Sequence, residues 1–224
     1  MKLLLTSGGV TNPSIQAALV DLLGKPIAES SALCIPTAAY GHPSLGPGER
    51  AWRFISGHEP GNPMTGLGWA SVGVLELTAL PSIDAERWVP LVRETDVLLV
   101  GGGDAIYLCH WMRESGLADL LPSLNEKVWV GLSAGSMVMT PRIGEDFVGW
   151  KSPTGDDATL GIVDFSICPH VNGEGKPGNT MAEAESWAAD IGVPAYVVDD
   201  ETAIRVVDGT VDVASEGSWT LLNV

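Results

Sequence analysis

Short apolar runs alternate along the chain with longer segments in which apolar residues recur every three or four positions. The clearest runs lie at 2–6, 32–36, 72–77, 97–100 and 128–132, each closing on glycine or a small polar residue. Their hydrophobicity is continuous rather than alternating, as in strands covered on both faces within a parallel sheet. Between them, helices are predicted at 13–23, 84–92, 105–114 and 180–191. Asn12 and Asp104 stand just before two of these, and Asp84 opens a third, where a short polar side chain caps free N–H groups. Strand and helix in alternation predict a doubly wound, mostly parallel α/β sheet.

The tail breaks this rhythm. Short strands at 195–198, 203–207, 210–214 and 219–222 are punctuated by Asp208-Gly209 and Glu216-Gly217. Asp-Gly is a strong hairpin signal, so a C-terminal β hairpin should close the sheet with an antiparallel edge. The stretch 40–69 is rich in Gly and Pro and reads as a long excursion with one short helix near 50–55. Excursions of this length often form lids or substrate walls. One domain spanning 1–224 accommodates all of these elements.

Composition narrows the function. The formal charge is −16, so nucleic-acid phosphates would be repelled and a nucleic-acid partner is not expected. No apolar stretch approaches the roughly 18 residues of a membrane helix, and the first residues are too short a run for a signal peptide. Cys34, Cys109 and Cys168 are odd in number, form no C-x-x-C pair and sit in apolar surroundings. Buried free thiols in a reducing compartment fit this usage, and a cytoplasmic location is the expectation. No spacing of His, Cys and Asp suggests a metal, and none is expected.

One segment carries recognisable chemistry. Val128 to Met137 reads as an apolar strand, then Gly131-Leu-Ser133-Ala-Gly135, then a helix of small residues. This is G-x-S-x-G in the strand–turn–helix setting that gives the motif its meaning. A nucleophilic hydroxyl must project from a sharp bend, where large neighbours would collide. The following helix N-terminus favours developing negative charge. Ser133 is therefore the candidate nucleophile.

Its base should be a histidine. His42 and His58 fall in the Gly/Pro-rich excursion and read as solvated. His110 lies within a predicted helix. His170 ends the apolar run 165–169, and strand C-terminal ends are where open α/β sheets gather their chemistry. His170 is the better base. Gly101-Gly-Gly103-Asp104 closes another strand. Its amides, with that of Ala134, suit an oxyanion hole. Neither G-x-G-x-x-G nor Gly-Lys-Ser/Thr is present, so a nucleotide site is not expected.

Taken together, Gly101–Gly103, the Gly131–Gly135 turn and Cys168-Pro169-His170 resemble the peptidase E family, serine peptidase family S51, of which cyanophycinase is a relative. The resemblance implies the class I glutamine amidotransferase-like, flavodoxin-like fold with serine in place of cysteine. It implies hydrolysis of short peptides through an acyl-enzyme at Ser133, with His170 as base, Gly103 and Ala134 as oxyanion amides, and no cofactor. A homodimer is left open. The orienting acid has two matches, Asp146 after the nucleophile turn and Asp200 before a late strand. Peptidase E itself favours N-terminal aspartate and holds it with an arginine, where this chain has Met181. Arg142, Lys151 and Arg205 are the cations considered as substitutes, and Lys176 is the single basic residue of 171–185. Two rival readings are an esterase of the α/β-hydrolase type and a non-catalytic amidotransferase-like binding module. No histidine follows His170, which disfavours the first. Asn172 stands where glutamine amidotransferases carry glutamate, which disfavours glutaminase activity.

Overall fold

The computed structural model describes residues 1–44, 48–58, 64–173 and 179–224. Parts of the 40–69 excursion, and Lys176, lie outside the described residues. In chain order the elements are β1 (Lys2–Thr6), α1 (Pro13–Leu23), β2 (Ser31–Ile35), α2 (Ala38–Gly41), α3 (Glu49–Ser56) and β3 (Ser71–Val74). Next come α4 (Ala85–Glu94), β4 (Val97–Val100), α5 (Ala105–Glu114), α6 (Leu117–Leu120), β5 (Val128–Leu132) and α7 (Ala134–Met137). The chain closes with β6 (Ser166–Cys168), α8 (Met181–Ile191), β7 (Ala195–Val198), β8 (Thr202–Val207), β9 (Thr210–Ser215) and β10 (Trp219–Leu222).

The main sheet has the order β3-β2-β4-β5-β1-β8-β9. The strands from β3 to β1 are parallel, and β8 and β9 add an antiparallel hairpin. Continuous hydrophobicity in the central strands has its explanation in two separate cores. Leu3, Leu5, Ile35, Leu98, Val100 and Trp129 face the side covered by Trp88, Val92, Leu108 and Met112 of α4 and α5. The residues between them, Leu4, Cys34, Val97, Leu99 and Val130, face Ile15, Leu19 and Leu22 of α1 and Phe54 of α3. A period of two with apolar side chains on both phases is a strand buried on both faces.

Two strand expectations need correction. The run 72–77 is a strand only at 71–74, where Val72 and Val74 are exposed. It is the sheet's edge, so one layer of helix no longer covers it. The tail strands do not share one sheet either. β7 and β10 leave the main sheet and pair with each other, and β6 joins β7 in a second, three-stranded sheet. That small sheet has its own core, with Trp187 and Ile191 of α8 against Cys168, Ala195 and Val197. Hairpin signals of the tail are local and specify turns. Which sheet a strand joins is decided by burial at long range.

Register positions the site. Thr6 pairs with Leu132, and Val100 pairs with Gly131, so β1, β4 and β5 end level with one another. Their next residues, Ser7, Gly101 and Ser133, emerge at the same C-terminal edge of the sheet. Ligands of open α/β sheets bind at that edge.

Candidate active site

Ser133 sits at φ 50° and ψ −109°, a conformation costly for any residue with a Cβ. The bend is held by contacts from every side. Ser133 N–H donates to the Thr6 carbonyl at 3.0 Å. Ser136 Oγ donates to the same carbonyl at 2.7 Å, and Thr6 Oγ1 donates to the Gly131 carbonyl at 2.7 Å. The flanking glycines are required by space. A Cβ at Gly131 would stand 2.4 Å from the Gly135 carbonyl oxygen, and one at Gly135 would stand 2.3 Å from that of Val100. Neither neighbour is a side chain that can move aside. The helix after the bend is shorter than its sequence suggests, one turn from Ala134 to Met137. Its help to a developing anion is therefore the amides of that turn rather than a long macrodipole.

His170 comes from the second sheet, at the end of β6, and it too has a positive φ of 64°. Its position is fixed by neighbours: Val171 N–H donates to the Val198 carbonyl, and Gly173 N–H donates to that of His170. The imidazole thereby reaches over the edge of the main sheet. His170 Nε2 lies 2.9 Å from Ser133 Oγ. Its Nδ1 lies 2.5 Å from Asp200 Oδ1. Asp200 stands between β7 and β8, where the chain passes from the small sheet to the large one. The imidazole is mostly buried, while the Asp200 side chain keeps 40% of its exposure. Asp146 is placed elsewhere, in an exposed turn at Glu145–Phe147 on the wall of the same cleft.

The cleft over Ser133 has a volume of about 760 Å³. Gly102, Gly103, Leu132 and Ala134 form its floor, and Asp146 to Gly149 form one wall. Gly103 has φ 147°, and a Cβ there would stand 2.2 Å from the Ala38 carbonyl oxygen. Gly102 and Gly103 present bare backbone to the cleft over Ser133, whereas the Gly101 N–H is taken by the Ile35 carbonyl. His42 and Arg50 also line the cleft. His42 is thus part of the cleft rather than a solvated loop residue, and burial pushes its pKa down. His58 hydrogen-bonds within its own loop, and His110 packs against the rings of Trp111 and Trp150.

Asp104 fixes the cleft wall. It caps α5 by accepting from Tyr107 N–H at 2.7 Å. Its other oxygen accepts from the N–H groups of Gly149 and Trp150 at 3.0 and 2.6 Å. Burial pushes this carboxyl up, against the pull of those backbone donors. Capping was legible in the sequence; the clamp on the 149–150 segment was not. The cations considered for substrate recognition lie elsewhere. Arg142 pairs with Asp157 and Arg205 with Asp21. The three thiols are buried, and burial raises them all, Cys34 to about 11 and Cys168 to about 12. Among the described residues no group of three or more His, Cys, Asp or Glu is placed to hold a metal. None of their helices is long and apolar enough to cross a membrane.

Sequence reasoning passed over two residues of this site. Ser7 joins His170 and Asp200, as described below. Arg50 lies in the excursion, with no local pattern to mark it. Ser7 carried one signal, its place directly after the first buried strand.

The site defines a class of fold, a mostly parallel, flavodoxin-like α/β sheet with a serine at the bend after its central strand. The model of peptidase family S51 matches residues 3–214. The chain belongs to that family. It is 31% identical to the uncharacterized peptidase YgaJ of Bacillus subtilis (strain 168) over 136 residues, 57% of this chain and 56% of that protein. It is 30% identical to peptidase E of Shewanella sp. (strain MR-4) over 92 residues, 39% of this chain and 38% of that one. The chain thus spans about half the length of the first of these relatives and less of the second. A crystal structure of a candidate peptidase E protein from Listeria monocytogenes EGD-e shares the fold. Its TM-score is 0.69 at 18% identity, covering 96% of this chain and 98% of that one. A peptidase from an acI-B1 Actinobacterium matches with TM-score 0.64 at 21% identity, covering 99% and 90%.

Proposed function

We propose that the protein is a serine peptidase acting on short peptides through an acyl-enzyme at Ser133. The observation that carries this reading is the line of contacts Ser133 Oγ to His170 Nε2 at 2.9 Å and His170 Nδ1 to Asp200 at 2.5 Å, at the floor of an open cleft. A nucleophile, its base and an orienting acid within hydrogen-bond reach are what acyl transfer requires.

In this reading Ser133 Oγ attacks the scissile carbonyl carbon as its proton passes to His170 Nε2. The amides of Gly103 and Ala134 hold the oxyanion. His170 returns the proton to the leaving amine as the C–N bond breaks. Water then repeats the attack on the ester, with the same histidine as base. Asp200 holds the Nδ1–H and stabilises the imidazolium. The direct test is incubation with aspartyl dipeptides, nitrophenyl esters and a fluorophosphonate. The expected result is dipeptide hydrolysis and an adduct mapped to Ser133. An inert protein would favour the binding module, and esterase activity alone would favour the hydrolase rival.

Charge in the cleft bears on the choice of substrate. The chain is strongly acidic, yet among the described residues lining the cleft Arg50 is the one Lys or Arg side chain. A peptide carboxylate is the group that would gain there, since burial without a cation would cost it solvation. This supports a preference for Asp-Xaa dipeptides, with Arg50 serving where the family arginine is replaced by Met181. Arg50→Met should lower kcat/KM for Asp-Xaa about tenfold, the lower end for a hydrogen bond to a charged group because Arg50 is exposed. The matching Asn-Xaa substrate should change less than about twofold, because it lacks the charge. Equal losses on both substrates would remove Arg50 from this role.

A further inference from the structure

Ser7 is fully buried at the end of β1, and its hydroxyl reaches both other members of the site. His170 N–H donates to Ser7 Oγ at 2.8 Å. That direction is unambiguous, because a backbone amide only donates. Ser7 Oγ is also 2.8 Å from Asp200 Oδ1 and 3.4 Å from His170 Nδ1. A hydroxyl has one proton to give. The carboxylate is nearer and charged, so it takes that proton. The same oxygen, Asp200 Oδ1, is the partner of Nδ1.

A neutral imidazole then has one arrangement open to it. A neutral imidazole holding its lone pair on Nδ1 would face Asp200 Oδ1 at 2.5 Å with no proton between them, because the Ser7 proton is already used. With the proton on Nδ1, every contact pairs one donor with one acceptor. Nε2 is then the acceptor, and it faces Ser133 Oγ. We infer that Ser7 is a positioning residue that fixes His170 in the Nδ1–H tautomer, by holding the backbone of His170 and committing its own proton to Asp200.

The inference rests on the serine-peptidase reading for its kinetic consequence alone. In the attack, the Ser133 O–H bond breaks and the proton joins Nε2. Nδ1–H stays on its nitrogen, and Ser7 keeps its bond to Asp200 throughout. Without Ser7, Asp200 loses a donor that disperses its charge. The carboxylate is then held less firmly in line with Nδ1, and the His170 N–H loses the acceptor that Ser7 gave it.

Nitrogen-15 NMR of histidine-labelled wild-type protein tests the tautomer directly, with no need for turnover. Near neutral pH the neutral His170 ring should show Nδ1 protonated and Nε2 bare. A protonated Nε2 in the neutral ring would overturn the inference, even if Ser7→Ala failed to fold. The kinetic arm is Ser7→Ala with an Asp-Xaa substrate. Its kcat should fall roughly 10- to 100-fold, as for loss of one hydrogen bond to a charged group, with KM changing little. A folded Ser7→Ala protein whose neutral ring keeps the same Nδ1–H population, with kcat unchanged, would reduce Ser7 to a packing residue. If no peptide is cleaved and Ser133 does not label, the functional reading fails, and the ring tautomers of the wild-type and Ser7→Ala proteins side by side still decide the inference.

Discussion

Ser133→Ala should abolish fluorophosphonate labelling and lower kcat on the order of 10⁶-fold, the scale seen when a serine hydrolase loses its nucleophile. Ser133→Gly should lose activity equally but differ in stability. The native residue holds φ 50° and ψ −109°, where a Cβ is strained and glycine is not. Relief of that strain should raise the unfolding free energy of the glycine variant by about 1–3 kcal/mol over the serine protein, less what glycine adds to unfolded-chain entropy. The alanine variant keeps the Cβ and should gain little. Thermal unfolding of the three proteins side by side measures this. A glycine variant no more stable than alanine would mean that the bend is not strained. It would also remove the physical reason for an exposed hydroxyl at this turn. Neighbouring glycines behave in the opposite way, because a Cβ at Gly131 or Gly135 meets backbone that cannot shift.

Asp200→Asn should lower kcat roughly 10³- to 10⁴-fold, while Asp146→Asn should change it less than about tenfold. The contrast follows from geometry. Asp200 Oδ1 lies 2.5 Å from His170 Nδ1 and also receives the Ser7 hydroxyl. Asparagine in its place carries no charge to stabilise the imidazolium. An amide turned the other way would present N–H to both Ser7 and Nδ1 and favour the wrong tautomer. Asp146 stands on the cleft wall, and its removal alters only the field a substrate meets. Measuring kcat and KM separately is informative. An effect of Asp146→Asn confined to KM fits a wall residue, whereas a collapse of its kcat with Asp200→Asn near normal would exchange their roles.

Both carboxylates matched the family pattern in sequence, and the run Thr202-Ala203-Ile204 after Asp200 favoured that one only slightly. Asp200 meets the imidazole because it stands where the chain passes from β7 of the small sheet to β8 of the large one. Ser7 shows the same limit more sharply. Its partners are 163 and 193 positions away, and nothing in Leu-Leu-Leu-Thr-Ser specifies them. Arg50 reaches the cleft only because α3 packs Phe54 into the core beside the 101–102 backbone.

The sequence by itself determined the elements. Four of the five apolar runs are strands covered on both faces, Asn12 and Asp104 cap their helices while the Asp84 side chain makes no capping bond, and Gly-x-Ser-x-Gly makes a bend whose flanking positions have room only for glycine. These are local properties, because φ/ψ preference, capping and side-chain period act over a few residues. Tertiary structure alone decided that the histidine comes from a second sheet, which acid meets it, and which serine and arginine share the cleft. Those are pairings between distant segments. They are selected by the burial of whole faces, and no short stretch of chain encodes them.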